Sequence, residues 1–188
     1  MLSGEVMIMR ANFTCIAALA LLVLPTVVHA QMFGPIELVT ALEPERAGPT
    51  VRALKTQNAL QILPNQQLPP AYDFPSVNLN VNFDGDTHLL TAQGMRTLRT
   101  LAVALLDPKV RGQAFQVAGH VFIEGSGSAQ FPLSSRRAQA VVDHLVIFYG
   151  LPRDKLTPVG YGATKPVNAA NPFGVENTRI ELINLSGP

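Results

Sequence analysis

Gly119-His120-Val121-Phe122-Ile123-Glu124-Gly125-Ser126-Gly127-Ser128-Ala129-Gln130-Phe131-Pro132-Leu133-Ser134-Ser135-Arg136-Arg137-Ala138 carries a strand out into a Gly/Ser-rich loop and on into a helix. Its first residues close a loosely alternating run, Phe115 to Val121, the period expected of a strand. Its last residues open a stripe of Ala138, Val141, Val142, Leu145 and Phe148 that suits the buried face of a helix capped by Ser134. Gly150 and Pro152 follow in the order expected after a helix C-terminus.

The same alternation of elements continues on both sides. Upstream, Val77-Asn78-Leu79-Asn80-Val81-Asn82-Phe83 alternates apolar and polar without a break and reads as a half-buried strand ended by Asp84-Gly85-Asp86. Thr91 then offers an N-cap for a helix with Met95, Leu98, Ala102 and Leu105 on its apolar face. Asp107-Pro108-Lys109 predicts its end near Leu106, because proline neither donates the next helical bond nor clears the preceding turn. Downstream, Leu156 to Val159 is a short strand that Pro158 demotes to an edge or a bulge, before Gly160-Tyr161-Gly162. Arg179 to Leu185 closes the series with Ile180 and Leu182 on one face. The order β-α-β-α-β-β over ~110 residues predicts one α+β core.

Composition narrows the function classes. The 188 residues are 47% hydrophobic and 14% charged with a formal net charge of +1, which leaves no cationic excess for phosphates and too much apolar surface for a disordered chain. Nucleic acid is excluded as a partner on charge. One cysteine, Cys15, excludes an internal disulfide and a cysteine zinc site.

The chain entry is organised differently. A cation at Arg10, an apolar run from Ile16 to Val28 and small residues at Val28 and Ala30 have the layout of a secretory signal, with cleavage expected after Ala30 and the rival reading an uncleaved anchor. Residues 1–30 are read as this signal, starting either at Met1 or at Met9. Cys15 precedes the apolar core, which argues against lipidation. Pro35, Pro44, Pro49, Pro64, Pro69, Pro70 and Pro75 punctuate residues 31–75, which predicts an arm or linker in which only Val51 to Ile62 has loosely helical spacing. A tether is favoured over a partner-binding helix. Residues 76–188 form the expected domain.

The Gly119–Ala138 stretch resembles the signature of OmpA-like domains, whose pattern is close to GHTDxxGSxxYNxxLSxxRA. Phe83-Asp84 with Leu90, Gly160-Tyr161-Gly162 with Lys165-Pro166 and Asn171, and Asn177-Thr178-Arg179-Ile180-Glu181 stand in the family's order. The resemblance implies a two-layer sandwich of mixed sheet and helices. It also implies that the loop after the second strand, with the start of the following helix at Ser134, holds the free carboxylate and amine of diaminopimelate in the peptidoglycan stem peptide. Such a zwitterionic end needs a cation and an anion, and a planar arginine fork suits the carboxylate. Arg137 matches the family's carboxylate-binding arginine, and its place in a first helical turn is mildly unfavourable unless an anion visits.

Departures from the pattern bear on the amine. Phe122 stands where the family has its ammonium-pairing aspartate, Val121 replaces the preceding threonine, Gln130 replaces an asparagine and Thr178 the first arginine of the NRRV-like strand, next to Arg179. Losing one charge-assisted contact costs about 1.5–3 kcal/mol. Glu124 is the one nearby anion in the loop, with a solvated carboxylate as its simpler reading. An exposed aromatic at position 122 fits a protein interface better than a diamino acid.

Other chemistry finds little support. His88, His120 and His144 lie on separate elements, and His120 is read as a hydrogen-bonded scaffold residue. The Gly125-Ser126-Gly127-Ser128 loop lacks the lysine of a phosphate loop, and Asp84 and Asp86 fit a turn better than a calcium site. No catalytic set, metal or cofactor is expected. The reading is an exported, non-enzymatic envelope protein, periplasmic or associated with an outer-membrane assembly. It binds peptidoglycan in a weakened or altered way; the alternative is a periplasmic protein–protein interaction module that has lost that binding. The ligand-binding candidates are Arg137, Phe122, Glu124, Gln130, Ser134 and Arg179.

Overall fold

Seven regular elements make up the computed structural model, which describes residues 34–43 and 74–186. They are α1 (Pro35–Leu42), β1 (Ser76–Leu79), α2 (Ala92–Leu105), β2 (Phe115–His120), α3 (Gln130–Tyr149), β3 (Leu156–Gly162) and β4 (Arg179–Asn184). The four strands form one mixed sheet in the order β1-β4-β2-β3, with β2 and β3 parallel and β4 antiparallel to both its neighbours. From β1 onward this is the β-α-β-α-β-β series that the sequence predicts, in an α+β architecture with helices on one face.

Sequence chemistry accounts for most boundaries. Thr91 caps α2 through its hydroxyl, which accepts from the Gly94 amide at 3.1 Å. Leu106 follows the last residue of α2, as Pro108 requires. Gly150 closes α3 at φ 66°, a left-handed geometry that glycine adopts without steric cost. Pro158 sits on β3, the edge strand where a missing donor is tolerated.

Several boundaries and faces depart from expectation. Pairing in β1 stops at Leu79, opposite Ile180, one residue short of the start of β4 at Arg179; Phe83 makes only a lone bridge to Leu90. The strand β3 runs on to Gly162, beside β2. Met95 is 44% exposed, so the buried face of α2 runs through Gly94, Leu98, Leu101, Ala102 and Leu105 instead. Phe148 is 68% exposed, and in that last turn Tyr149 packs toward the core.

The helix α3 starts at Gln130, four residues before the predicted cap. A 3-10 turn, Gly127–Ala129, leads into it. Pro132 falls in its first turn, where a missing amide leaves no helical bond unmade. Ser134 therefore lies inside the helix, fully buried. Its hydroxyl donates to the Phe131 carbonyl at 2.8 Å and accepts from the Gly162 amide at 2.9 Å.

The core lies between sheet and helices: Val77, Leu79, Val117, Ile180 and Leu182 face Leu98, Leu101, Leu105, Val141, Val142 and Leu145. Helix α1 joins it through Leu38, Val39 and Leu42. Part of the proline-punctuated region is thus built into the folded unit, whereas the Val51 to Ile62 segment and residues 1–30, read from the sequence as a signal, lie outside the described residues.

Candidate functional site

Arg137 projects from the second turn-pair of α3, eight residues into the helix, and not from its first turn. The dipole argument made from the sequence does not apply at that depth, since the field of a helix end fades within a turn. What holds the side chain is a loop. Nε donates to the Thr87 carbonyl at 2.8 Å and Nη2 to the Gly85 carbonyl at 2.7 Å, while the guanidinium carbon sits 4.7 Å from the centre of the Phe83 ring. The residue is only 6% exposed. Burial lowers the guanidinium pKa, and the negative charge of Asp86 works against that shift. Among the described residues Nη1 has no hydrogen-bond partner.

The loop between β1 and α2 is built to present those carbonyls. Thr87 folds back on Asp84 through its amide and hydroxyl, both to the Asp84 carbonyl, and Gly85 turns the chain at φ 50°. Sequence reading took Asp84-Gly85-Asp86 as a turn that ends a strand, and not as the support of Arg137. The available signal was the arginine of the LSxxRA motif, which needed partners that its own helix could not supply.

The loop after β2 is arranged around Phe122 and Ile123. Phe122 is 7% exposed, which corrects the expectation of an exposed aromatic. Its amide donates to the Thr178 hydroxyl at 3.0 Å, and that hydroxyl lies 3.3 Å from the Phe122 carbonyl, so Thr178 fastens this residue from both sides. Ser126 Oγ and Gln130 Nε2 donate to the Ile123 carbonyl at 2.7 and 3.3 Å. Gln130 Oε1 is enclosed without a partner. Glu124 is exposed.

Arg179 is not brought to Arg137. In the β2–β4 register His120 lies opposite Arg179 and Gly119 opposite Ile180, and a Cβ on Gly119 would meet the Ser134 carbonyl of α3 at 2.2 Å. Gly119 thus faces the helices, and by strand alternation His120 and Arg179 belong to the opposite face. There Arg179 Nε donates to Asn78 Oδ1 at 2.7 Å, Nη1 to the Lys165 carbonyl at 3.2 Å, and Nη2 approaches Glu181 at 3.5 Å.

Glu181 also sits 3.0 Å from His120 Nε2, and the His120 ring stacks on Tyr161 at 5.1 Å. Burial pushes the His120 pKa down against the raising effect of Glu181. Burial would raise the Glu181 carboxyl, but the His120 hydrogen bond and the nearby His120 and Arg179 charges outweigh it and hold it below its usual range. This cluster is a buried scaffold, in keeping with the reading of His120.

Similarity to known proteins follows the same elements. A sequence profile described as the OmpA family matches residues 82–179, just over half of the chain. The chain belongs to the OmpA family. Its OmpA domain is 31% identical over 115 residues to outer membrane porin F of Pseudomonas aeruginosa, covering 60% of this chain and 32% of that protein. It is 35% identical over 111 residues to outer membrane protein A of Shimwellia blattae, covering 58% and 44%. The chain therefore spans less than half the length of these curated relatives. In structure it resembles a MotB-like protein from Desulfovibrio vulgaris, with a TM-score of 0.51 at 20% identity over 79% of this chain and 93% of that one. It also resembles the cell wall anchor of the T6SS from Pseudomonas aeruginosa, with a TM-score of 0.50 at 22% identity over 72% and 94%. Likeness at these identities establishes the fold. OmpA-like domains are non-enzymatic modules of peptidoglycan-associated envelope proteins.

Proposed function

We propose that the domain binds peptidoglycan non-covalently, with Arg137 taking the terminal carboxylate of the diaminopimelate stem peptide. The observation that carries this reading is the state of Arg137: a buried arginine, two of whose nitrogens are committed to fixed backbone carbonyls while Nη1 meets no partner among the described residues. Its rotamer entropy is spent on folding, so a carboxylate arriving at Nη1 meets a preorganised, weakly hydrated cation.

Affinity is lower than a full zwitterion clamp would give, because Phe122 offers no charge at the position of the family's aspartate. The protein would act in the envelope of a diderm bacterium, after export by the signal at residues 1–30, in the periplasm or beside an outer-membrane assembly. A protein-interaction module without wall binding is the second reading. It loses the support of an exposed Phe122 but draws on a groove of ≈550 Å³ lined in part by Leu89, Met95, Ile147 and Phe148.

Cosedimentation of the full chain with purified sacculi containing diaminopimelate tests the proposal. The folded protein is expected to pellet, to be displaced by free meso-diaminopimelate, and to bind roughly tenfold or more weakly as Arg137→Lys, which keeps a charge but loses the fork. Folded protein that stays in the supernatant overturns it.

A further inference from the structure

A zwitterionic ligand end held by Arg137 brings an ammonium group with it, and neither candidate in the loop after β2 is well placed to meet that group. Phe122 is buried and apolar, and Glu124 is exposed, with no hydrogen bond or ion pair to Arg137 among the described residues. The loop after β1 offers a different answer. The two carbonyls that grip the guanidinium belong to Gly85 and Thr87, the residues flanking Asp86. Fixing both neighbours fixes the backbone of Asp86 against Arg137.

The Asp86 side chain is exposed, and no hydrogen bond or ion pair among the described residues engages its carboxylate. The adjoining turn is open, since a Cβ on Gly85 would meet nothing within 4 Å. The negative charge of Asp86 favours the charged form of the Arg137 guanidinium, against the effect of burial.

We propose that Asp86, from the loop between β1 and α2, accepts the ligand ammonium and completes with Arg137 a clamp for a zwitterionic α-amino acid end. The anion missing at position 122 is supplied from the loop that already holds the arginine. This assignment rests on the reading of Arg137 as the carboxylate-binding group. The chemistry is elementary: a free carboxylate and an ammonium on one carbon present opposite charges side by side, and a cation and an anion on a shared, rigid support meet both. A fixed pair also discriminates, because a ligand that lacks the ammonium leaves Asp86 facing an anion.

The test uses the full chain and two soluble probes, meso-diaminopimelate and pimelate, which shares its carbon chain and both carboxylates but has no amino groups. The wild-type protein is expected to prefer diaminopimelate in calorimetric or NMR titration. Asp86→Asn should weaken diaminopimelate by roughly 10- to 100-fold and leave pimelate unchanged or tighter. Asp86→Glu should keep the preference, and Glu124→Gln should have no effect. A folded Asp86→Asn protein that retains the full preference, or a Glu124→Gln protein that loses it, overturns the assignment and leaves the peptidoglycan reading standing. A wild-type protein that binds neither probe nor sacculi overturns both.

Discussion

Phe122 occupies a position where two readings make opposite demands. If the side chain faced a wet ligand loop, Phe122→Asp would restore the family's carboxylate and tighten binding. It is instead 7% exposed, with its amide and carbonyl both at the Thr178 hydroxyl, so the substitution removes buried apolar surface and leaves a charge without a designed partner. Deleting a buried phenylalanine costs about 3–5 kcal/mol, and an unpaired buried charge adds to that. We expect Phe122→Asp to lower the melting temperature by on the order of 10 °C or more, with no gain in sacculus binding. Thermal unfolding followed by circular dichroism checks it, and an unchanged midpoint with tighter binding would return position 122 to the ligand site. Arg137 was legible as an important side chain from the motif alone, but its partners were not. They lie 50 and 52 residues away in sequence, and main-chain carbonyls carry no residue-type signal.

The short motif GH…LSS…GYG becomes intelligible when α3 is placed against β2 and β3. A Cβ on Gly119 would come within 2.2 Å of the Ser134 carbonyl, and one on Gly160 within 2.1 Å of Ser135 Oγ. The helix therefore rests on bare strand backbone at these points, and the Ser134 hydroxyl bridges to the Gly162 amide across the contact. Gly119→Ala puts a methyl group into a backbone atom that cannot turn aside, so α3 must shift. Overpacking of this kind costs about 1–3 kcal/mol or more. The expected outcome is a lower denaturation midpoint together with weaker ligand binding, because moving α3 displaces Arg137 from its loop; a variant with unchanged stability would mean that the contact is looser than described. The start of α3 was hidden from sequence reading because Ala129 supplies no side-chain cap, while Ser134, the residue that looks like one, spends its hydroxyl on Phe131 and β3.

At the scale of the molecule, the strand and helix order was readable because each element from β1 onward keeps its own hydrophobic period and its own stop signal. The contribution of α1 was not. Its eight residues hold too short a pattern to stand out among prolines, and a helix of this length has little stability of its own. Tertiary packing makes it. Leu38, Val39 and Leu42 enter the main core, the Leu42 carbonyl accepts from the buried Asn184 amide at 2.7 Å, and Glu43 pairs with Lys109 at 2.6 Å. A tether and an integral element predict different outcomes for one substitution. Were residues 35–42 only a spacer, Leu42→Ala would leave unfolding untouched, and alanine would even favour the helix. With Leu42 fully buried, the same change opens a cavity and should cost about 2–5 kcal/mol. We therefore expect a clear fall in the denaturant midpoint for Leu42→Ala and almost none for Ile36→Ala, whose side chain is 78% exposed on the same helix. Equal midpoints for the two variants would reduce α1 to a passenger; unequal ones would extend the folded unit to residues upstream of the part that the OmpA profile matches, since α1 then helps to hold the sheet on which α3 and Arg137 are mounted.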